Sequence, residues 1–189
     1  MRTVFKLQPQ KSALLIIDMQ RYFIDKTSSA YVSSSSALLV KIQQLIDVFN
    51  KRKQPIVFTR HIDTEDSMMR RWWRDNIEEH DPMSEIIDDF DTNQGMVLAK
   101  HQYDAFFDTA LDDYLRKKSI QQVVICGVLT NLCCETTARS AFMRGFEVYF
   151  VTDGTATYKQ EMHDATILNL SYGFAIPVTV DEVIKLLRS

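Results

Sequence analysis

Six short apolar runs, each parted from the next by a longer stretch with helical spacing, constrain the fold of this chain more than any other feature. The runs are ALLIID (13–18), PIVFTR (55–60), MVLAK (96–100), QVVICG (122–127), EVYFVTD (147–153) and AIPVTV (175–180). Several are apolar throughout, as strands covered on both faces should be. Between them, residues 35–53 place Leu38, Ile42, Leu45, Ile46 and Phe49 at three- and four-residue spacing, and residues 108–119 do the same with Leu111, Tyr114 and Leu115. Such spacing gathers each set on one helix face. Strand and helix in alternation predict repeated βα units around a parallel sheet, an α/β fold. A chain of 189 residues buries roughly 70% of its unfolded surface on folding, so a single domain over residues 1–189 is expected.

With 22 basic against 25 acidic residues the formal charge is −3. That balance gives no broad field to steer nucleic acid or an anionic membrane, which leaves a small molecule as the expected partner. Three cysteines do not make a disulfide framework, and the first twenty residues lack the pattern of a signal peptide, so a cytoplasmic location is expected. No apolar run approaches the ~20 residues of a membrane-spanning helix.

Two segments depart from the alternation. TSSAYVSSSS (27–36) is a Ser-rich loop whose last serines are expected to cap the following helix. Residues 61–95 hold both tryptophans and Met68 and Met69 without a strand-like run. They read as a long excursion over one end of the sheet, either a lid or a subunit interface.

In an open α/β sheet the ligand site lies beyond the carboxyl ends of the strands. Asp18 ends the first run, Lys100 ends the third, and Cys133 follows the fourth where TNLCCETTARSAFMRG should begin a helix. Each has a bland alternative: a helix-capping Asp, a solvated Lys, a small buried Cys. Together they make a chemical set. A free thiol near pKa 8.5 ionises only by a few per cent at neutral pH, and it is helped by helix N–H groups, by a carboxylate that takes the proton and by a lysine that keeps that carboxylate charged. If the strands run in the order 3-2-1-4-5-6, strand 3 lies roughly 10 Å from strand 1, and Lys100 reaches Asp18 only if the chain after strand 3 leans inward.

The blocks LLIIDMQRYF, VLAKHQYDAFF and GVLTNLCCETTARSAFMRGFEVYFVTDGTAT resemble, in order and spacing, the isochorismatase-like cysteine hydrolases, over nearly the whole chain. The third block, with Gly127, Val128, Thr130, Asn131, Cys133, Thr137 and Ala138, is the most specific. The resemblance implies a doubly wound, Rossmann-like three-layer αβα sandwich with a six-stranded parallel sheet in the order 3-2-1-4-5-6. By position, it makes Cys133 the nucleophile, Asp18 the proton-transferring acid and base, and Lys100 the charge partner. It also implies a cis peptide between Val128 and Leu129, with the Leu129 and Cys133 N–H groups forming an oxyanion hole, and a homo-oligomer, dimer or tetramer.

Departures from the family pattern narrow the activity. Isochorismatases proper, which cleave a vinyl ether by proton donation from the aspartate, commonly lack a cysteine at the Cys133 position and carry a carboxylate-binding arginine where this chain has Gln102. Nicotinamidases carry a metal-binding Asp and His cluster after strand 2, whereas TRHIDTED has one His, and His61, His80, His101 and His163 are scattered. No metal and no cofactor are therefore expected. The expected activity is hydrolysis of a small amide, ureide or carbamoyl C–N bond through a thioester. The rivals are a vinyl ether hydrolase using Asp18 with Cys133 a bystander, and a catalytically silent binding protein of the same fold. Gln20, Arg60, Trp72, Trp73, Phe106 and Tyr158 are candidates to line the pocket, with packing the alternative for each. Cys134 and Cys126 read as packing residues, since a disulfide between adjacent Cys133 and Cys134 needs a strained eight-membered ring.

Overall fold

The computed structural model describes residues 5–188. Six parallel strands, β1 (Ser12–Ile17), β2 (Ile56–His61), β3 (Met96–Lys100), β4 (Gln122–Val128), β5 (Glu147–Ala156) and β6 (Ile176–Val178), form one sheet in the order β3-β2-β1-β4-β5-β6. The helices are α1 (Arg21–Ile24), α2 (Ser36–Lys51), α3 (Met68–Trp73), α4 (Leu111–Lys117), α5 (Glu135–Met143), α6 (Gln160–Gly173) and α7 (Val180–Arg188). Among the described residues no helix is long and apolar enough to cross a membrane.

Side-chain alternation along β1 shows how the three layers arise. Leu14 and Ile16 pack with Leu38, Ile42, Leu45 and Phe49 of α2 and Val183 and Leu187 of α7. Leu15 and Ile17 pack on the opposite face with Leu111 and Leu115 of α4, Ala138 and Ala141 of α5 and Leu170 of α6. Every residue of β1 is buried because both of its faces carry helices.

The two sequence-defined helices are shorter than their periodicity predicts. The segment 108–119 yields only α4, because Asp108 (φ 53°) and Ser119 (φ 56°) take left-handed backbone that ends a helix on either side. The expected serine cap of α2 is absent: Ser35 itself is helical and its buried Oγ lacks a partner, while Ser34 Oγ donates to the Thr157 carbonyl at 3.4 Å. The last strand shrinks to three residues around Pro177, which an edge strand tolerates because it needs fewer N–H donors.

Gly127 marks the close approach on which the site depends. At φ 114° it lies against β1, where a Cβ would stand 2.1 Å from the Ile17 carbonyl oxygen. Only glycine fits both the angle and the gap. The backbones of β1 and β4 therefore converge beside Asp18 and just before the Val128–Leu129 peptide, which is cis.

Residues 61–95 are fastened more firmly than a free lid. The Arg60 side chain donates to the carbonyls of Ser84 (3.0 Å) and Glu79 (2.6 Å) and pairs with Glu85 at 2.7 Å. Backbone bonds run from Arg21 N to Glu85 O (2.9 Å) and from Ile87 N to Met19 O (3.1 Å), and Ile86, Ile87 and Phe90 are buried in the core.

Candidate active site

Asp18, Lys100 and Cys133 come together at the carboxyl ends of their strands. Asp18 follows β1 with φ 47°, a left-handed value that Asp adopts more readily than most residues. Thr59 of β2 holds it in two ways: Oγ1 accepts from the Asp18 N–H at 3.0 Å and donates to Oδ1 at 2.6 Å. The other oxygen, Oδ2, lies 2.8 Å from Lys100 Nζ, and both side chains are fully buried. Lys100 Nζ also donates to the Gln102 carbonyl at 2.8 Å and to Cys133 Sγ at 3.6 Å. Lys100 stays in register with His61 at the end of β3. The gap of two strands is thus crossed by the four-carbon lysine stem, not by an inward lean of the chain.

Cys133 stands in a π-helical turn, Thr130–Cys134, that leads directly into α5. The Cys134 N–H reaches back five residues to the Leu129 carbonyl at 3.2 Å. The surroundings of the thiol act on it in opposite directions. Burial pushes the Cys133 thiol up strongly, the nearby Lys100 charge pulls it down, and the Asp18 carboxylate, as a charge and as hydrogen-bond acceptor, favours the proton on sulfur. Burial likewise lowers the Lys100 ammonium, but the Asp18 and Cys133 partners outweigh it and hold the group above its ordinary value. Asp18 and Lys100 thus form an ion pair beneath a sulfur whose proton is favoured by burial and by the Asp18 carboxylate.

Above the thiol opens a cavity of about 300 Å³. Cys133 lines it, together with Leu129 and Leu132 from the turn, Tyr22 and Phe23 of α1, Met69 and Trp73 of α3, and Tyr103, Ile77 and Tyr158. Its polar wall is made by His61, Asp63, Ser29 and Asp75. Asp63 accepts from His61 Nε2 (3.1 Å) and from the Ile77 N–H (2.9 Å). Burial raises the Asp63 carboxyl, yet these bonds outweigh it and hold the group below the usual carboxylate range. Asp75 accepts from Tyr22 and Ser29 hydroxyls, each at 2.8 Å. Trp73 Nε1 donates to the Tyr103 hydroxyl at 2.8 Å.

Of the six expected pocket residues, Trp73 and Tyr158 line the cavity and four do not. Gln20 is fully buried and its amide is consumed by the His61 N–H and by the carbonyls of His61 and Ser84, at 2.7–2.9 Å. Arg60 is committed to residues 79–85, as above. Phe106 packs in the core, stacked on Phe146 at 5.7 Å. Trp72 points away and is 68% exposed. Tyr22, Phe23, Asp63, Asp75 and Tyr103 escaped sequence reasoning. Tyr22, Phe23 and Tyr103 sit within three to five residues of Asp18 and Lys100, which is the signal that finds them.

A metal centre of the nicotinamidase kind does not fit this donor set. At the end of β2, His61 and Asp63 hydrogen-bond each other, and no group of three potential ligands gathers among the described residues. Catalytic zinc takes three protein ligands.

Comparison with known proteins agrees with the geometry. The chain is 39% identical over 179 residues to Nicotinamidase 3 of Arabidopsis thaliana, a match that spans 91% of this chain and 86% of that protein. A cysteine hydrolase from Pseudomonas syringae pv. phaseolicola 1448A has a similar structure, with a TM-score of 0.93 at 25% identity, over 98% of this chain and 96% of that one. N-carbamoylsarcosine amidase from Thermoplasma acidophilum matches with a TM-score of 0.82 at 28% identity, over 91% and 98%. The isochorismatase domain is matched over residues 12–182, so the chain belongs to the isochorismatase family of hydrolases.

Proposed function

We propose that the protein is a cysteine-dependent amidohydrolase that cleaves the C–N bond of a small carboxamide. One observation carries the reading: of the three clustered groups, Cys133 alone lines the cavity, with Lys100 Nζ 3.6 Å behind its sulfur and Asp18 paired to that lysine. Similarity to a nicotinamidase and to an N-carbamoylsarcosine amidase supports amide chemistry. The cavity, near the lower end of the ~300–1,000 Å³ of ordinary ligand pockets, suits a compact substrate.

The chemistry starts from a neutral thiol. As sulfur bonds to the carbonyl carbon, its proton passes to Asp18, so no free thiolate accumulates in the buried site. The N–H groups of Leu129 and Cys133 hold the oxyanion. Asp18 then gives the proton to the departing nitrogen, ammonia leaves, and Asp18 takes a proton from the water that attacks the thioester and returns it to the sulfur as the C–S bond breaks. Lys100 keeps Asp18 charged between these transfers. A vinyl ether mechanism with Cys133 idle has no comparable support, since it leaves unused the one group of the three that lines the cavity.

Nicotinamide is the first compound to assay. Ammonia should be released, and acid-quenched protein should carry an adduct on Cys133 with the mass of the substrate less ammonia. Hydrolysis without an adduct, at a rate that Cys133→Ala leaves unaltered, would sink the covalent reading.

A further inference from the structure

We propose that the cavity selects its substrate by charge, and that it is built for a planar carboxamide carrying a positive charge, of the N-alkylpyridinium class. The inference rests on the amidohydrolase reading for the word substrate, but its grounds are separate. Five aromatic rings, Tyr22, Phe23, Trp73, Tyr103 and Tyr158, surround the space in front of Cys133. Ring faces attract cations, most strongly where water is excluded.

Two carboxylates share that wall, and no lysine or arginine among the described residues lines the cavity with them. Asp63 is held by N–H groups in its charged form. His61 shares its Nε2 with Asp63, and its other ring nitrogen, Nδ1, is buried without a hydrogen-bond partner. Asp75 is held by hydroxyl groups alone. Arg70, which lowers Asp63 from a distance, belongs to α3 and pairs with Glu78 at 3.6 Å outside the cavity. Lys100 is fully buried and matched by Asp18 at 2.8 Å, so the floor adds no net positive charge.

An incoming carboxylate therefore meets two acid groups and no lysine or arginine. A neutral ring gains the aromatic contacts alone. A cationic ring gains those contacts and the field of Asp63 and Asp75.

Three probes of matched shape separate these cases: 1-methylnicotinamide (cation), nicotinamide (neutral) and 5-carbamoylpyridine-3-carboxylate (anion). Their dissociation constants are read from Trp73 fluorescence or calorimetry on Cys133→Ala, and their KM values on the wild type. The cation should bind roughly threefold to thirtyfold tighter than the neutral ring, and the anion weakest. Asp75→Asn keeps an oxygen for the Tyr22 and Ser29 hydroxyls and should shrink the ratio of cation to nicotinamide affinity. An anion that binds as well as nicotinamide overturns the proposal, as does a cation with no advantage or a failure of all three to bind. The predicted order without ammonia release from any probe supports the charge selection and sinks the proposed function instead. Ammonia release without the order does the reverse.

Discussion

Asp18 and Lys100, fully buried beneath Cys133, neutralise each other at 2.8 Å, whereas Asp63 and Asp75 in the wall of the same cavity have only N–H and hydroxyl partners. Both regions place acid groups near the reacting sulfur, and the difference lies in what balances them. The floor is internally compensated, so its charges fix geometry and have little to offer a ligand. The wall is not, so its charges remain available. Changes in the floor should therefore appear in turnover and stability, and changes in the wall in substrate affinity.

The largest effect expected is on turnover. Cys133→Ala removes the one floor group that meets the cavity and should lower kcat by roughly 10⁴-fold or more. It should leave the urea midpoint nearly unmoved, since a small buried sulfur is replaced by a methyl and no charge is orphaned. Lys100→Met tests the floor's other property. It strands the Asp18 carboxylate without its ion, and breaking a buried pair from one side costs about 3–5 kcal/mol. Asp18→Asn should cost a similar amount. The double change Asp18→Asn with Lys100→Met should recover most of the stability and none of the activity. If the double variant were as unstable as either single one, compensation would not be what defines the floor.

Next in size is a response to alkaline pH that the floor shares with the core. Burial raises the thiols of Cys126, Cys133 and Cys134. Above about 8.5 the unfolded chain releases these thiol protons while the folded chain keeps them, so the unfolded state gains with rising pH. Stability should be unaffected below that range and fall above it, by up to about 1.4 kcal/mol per pH unit for each thiol. Urea unfolding across the alkaline range measures the slope, and Cys126→Ala should make it shallower. The same burial predicts that iodoacetamide labels Cys133 slowly in the free enzyme, with no plateau at neutral pH.

The floor was far more legible in the sequence than the wall. Asp18, Lys100 and Cys133 each close a β-branched run or follow one, so a strand pattern and the rule that ligands gather at strand ends bring them together. The sheet order follows from the resemblance. What the sequence hid was how Lys100 reaches across β2, because the length and direction of one side chain leave no periodic trace. The wall has no such pattern. Asp63, Asp75 and Trp73 belong to a segment without strand spacing, and their positions follow from the tie of Arg60 to residues 79–85 and from backbone pairing near Ile86 and Ile87. Gln20 and Arg60 look from the sequence like pocket residues, being polar and close to strand ends, yet buried carbonyls claim their donors.

In the wall itself, Tyr103→Phe should weaken substrate binding modestly. The hydroxyl accepts from Trp73 Nε1, and removing it leaves that indole without its acceptor and free to shift, while the ring and its stacking surface stay. A lost hydrogen bond of about 1 kcal/mol corresponds to a KM roughly fivefold higher, with kcat little changed. A drop in kcat with constant KM would instead assign Tyr103 to the reacting centre.

The smallest effect is the sharpest check on where the wall ends, because it compares neighbours in the sequence. Trp73 is 47% exposed and lines the cavity with its N–H fixed to Tyr103, while Trp72, one residue earlier on α3, is 68% exposed and lines nothing there. One step of a helix turns a side chain by about 100°, so adjacent residues of α3 face different surroundings. Trp73→Ala should raise KM for nicotinamide and quench the fluorescence response to ligand. Trp72→Ala should leave KM within experimental error and stability within about 0.5 kcal/mol, the usual range for surface positions. A KM that rose equally for both would mean that α3 closes over bound substrate and brings Trp72 into the wall.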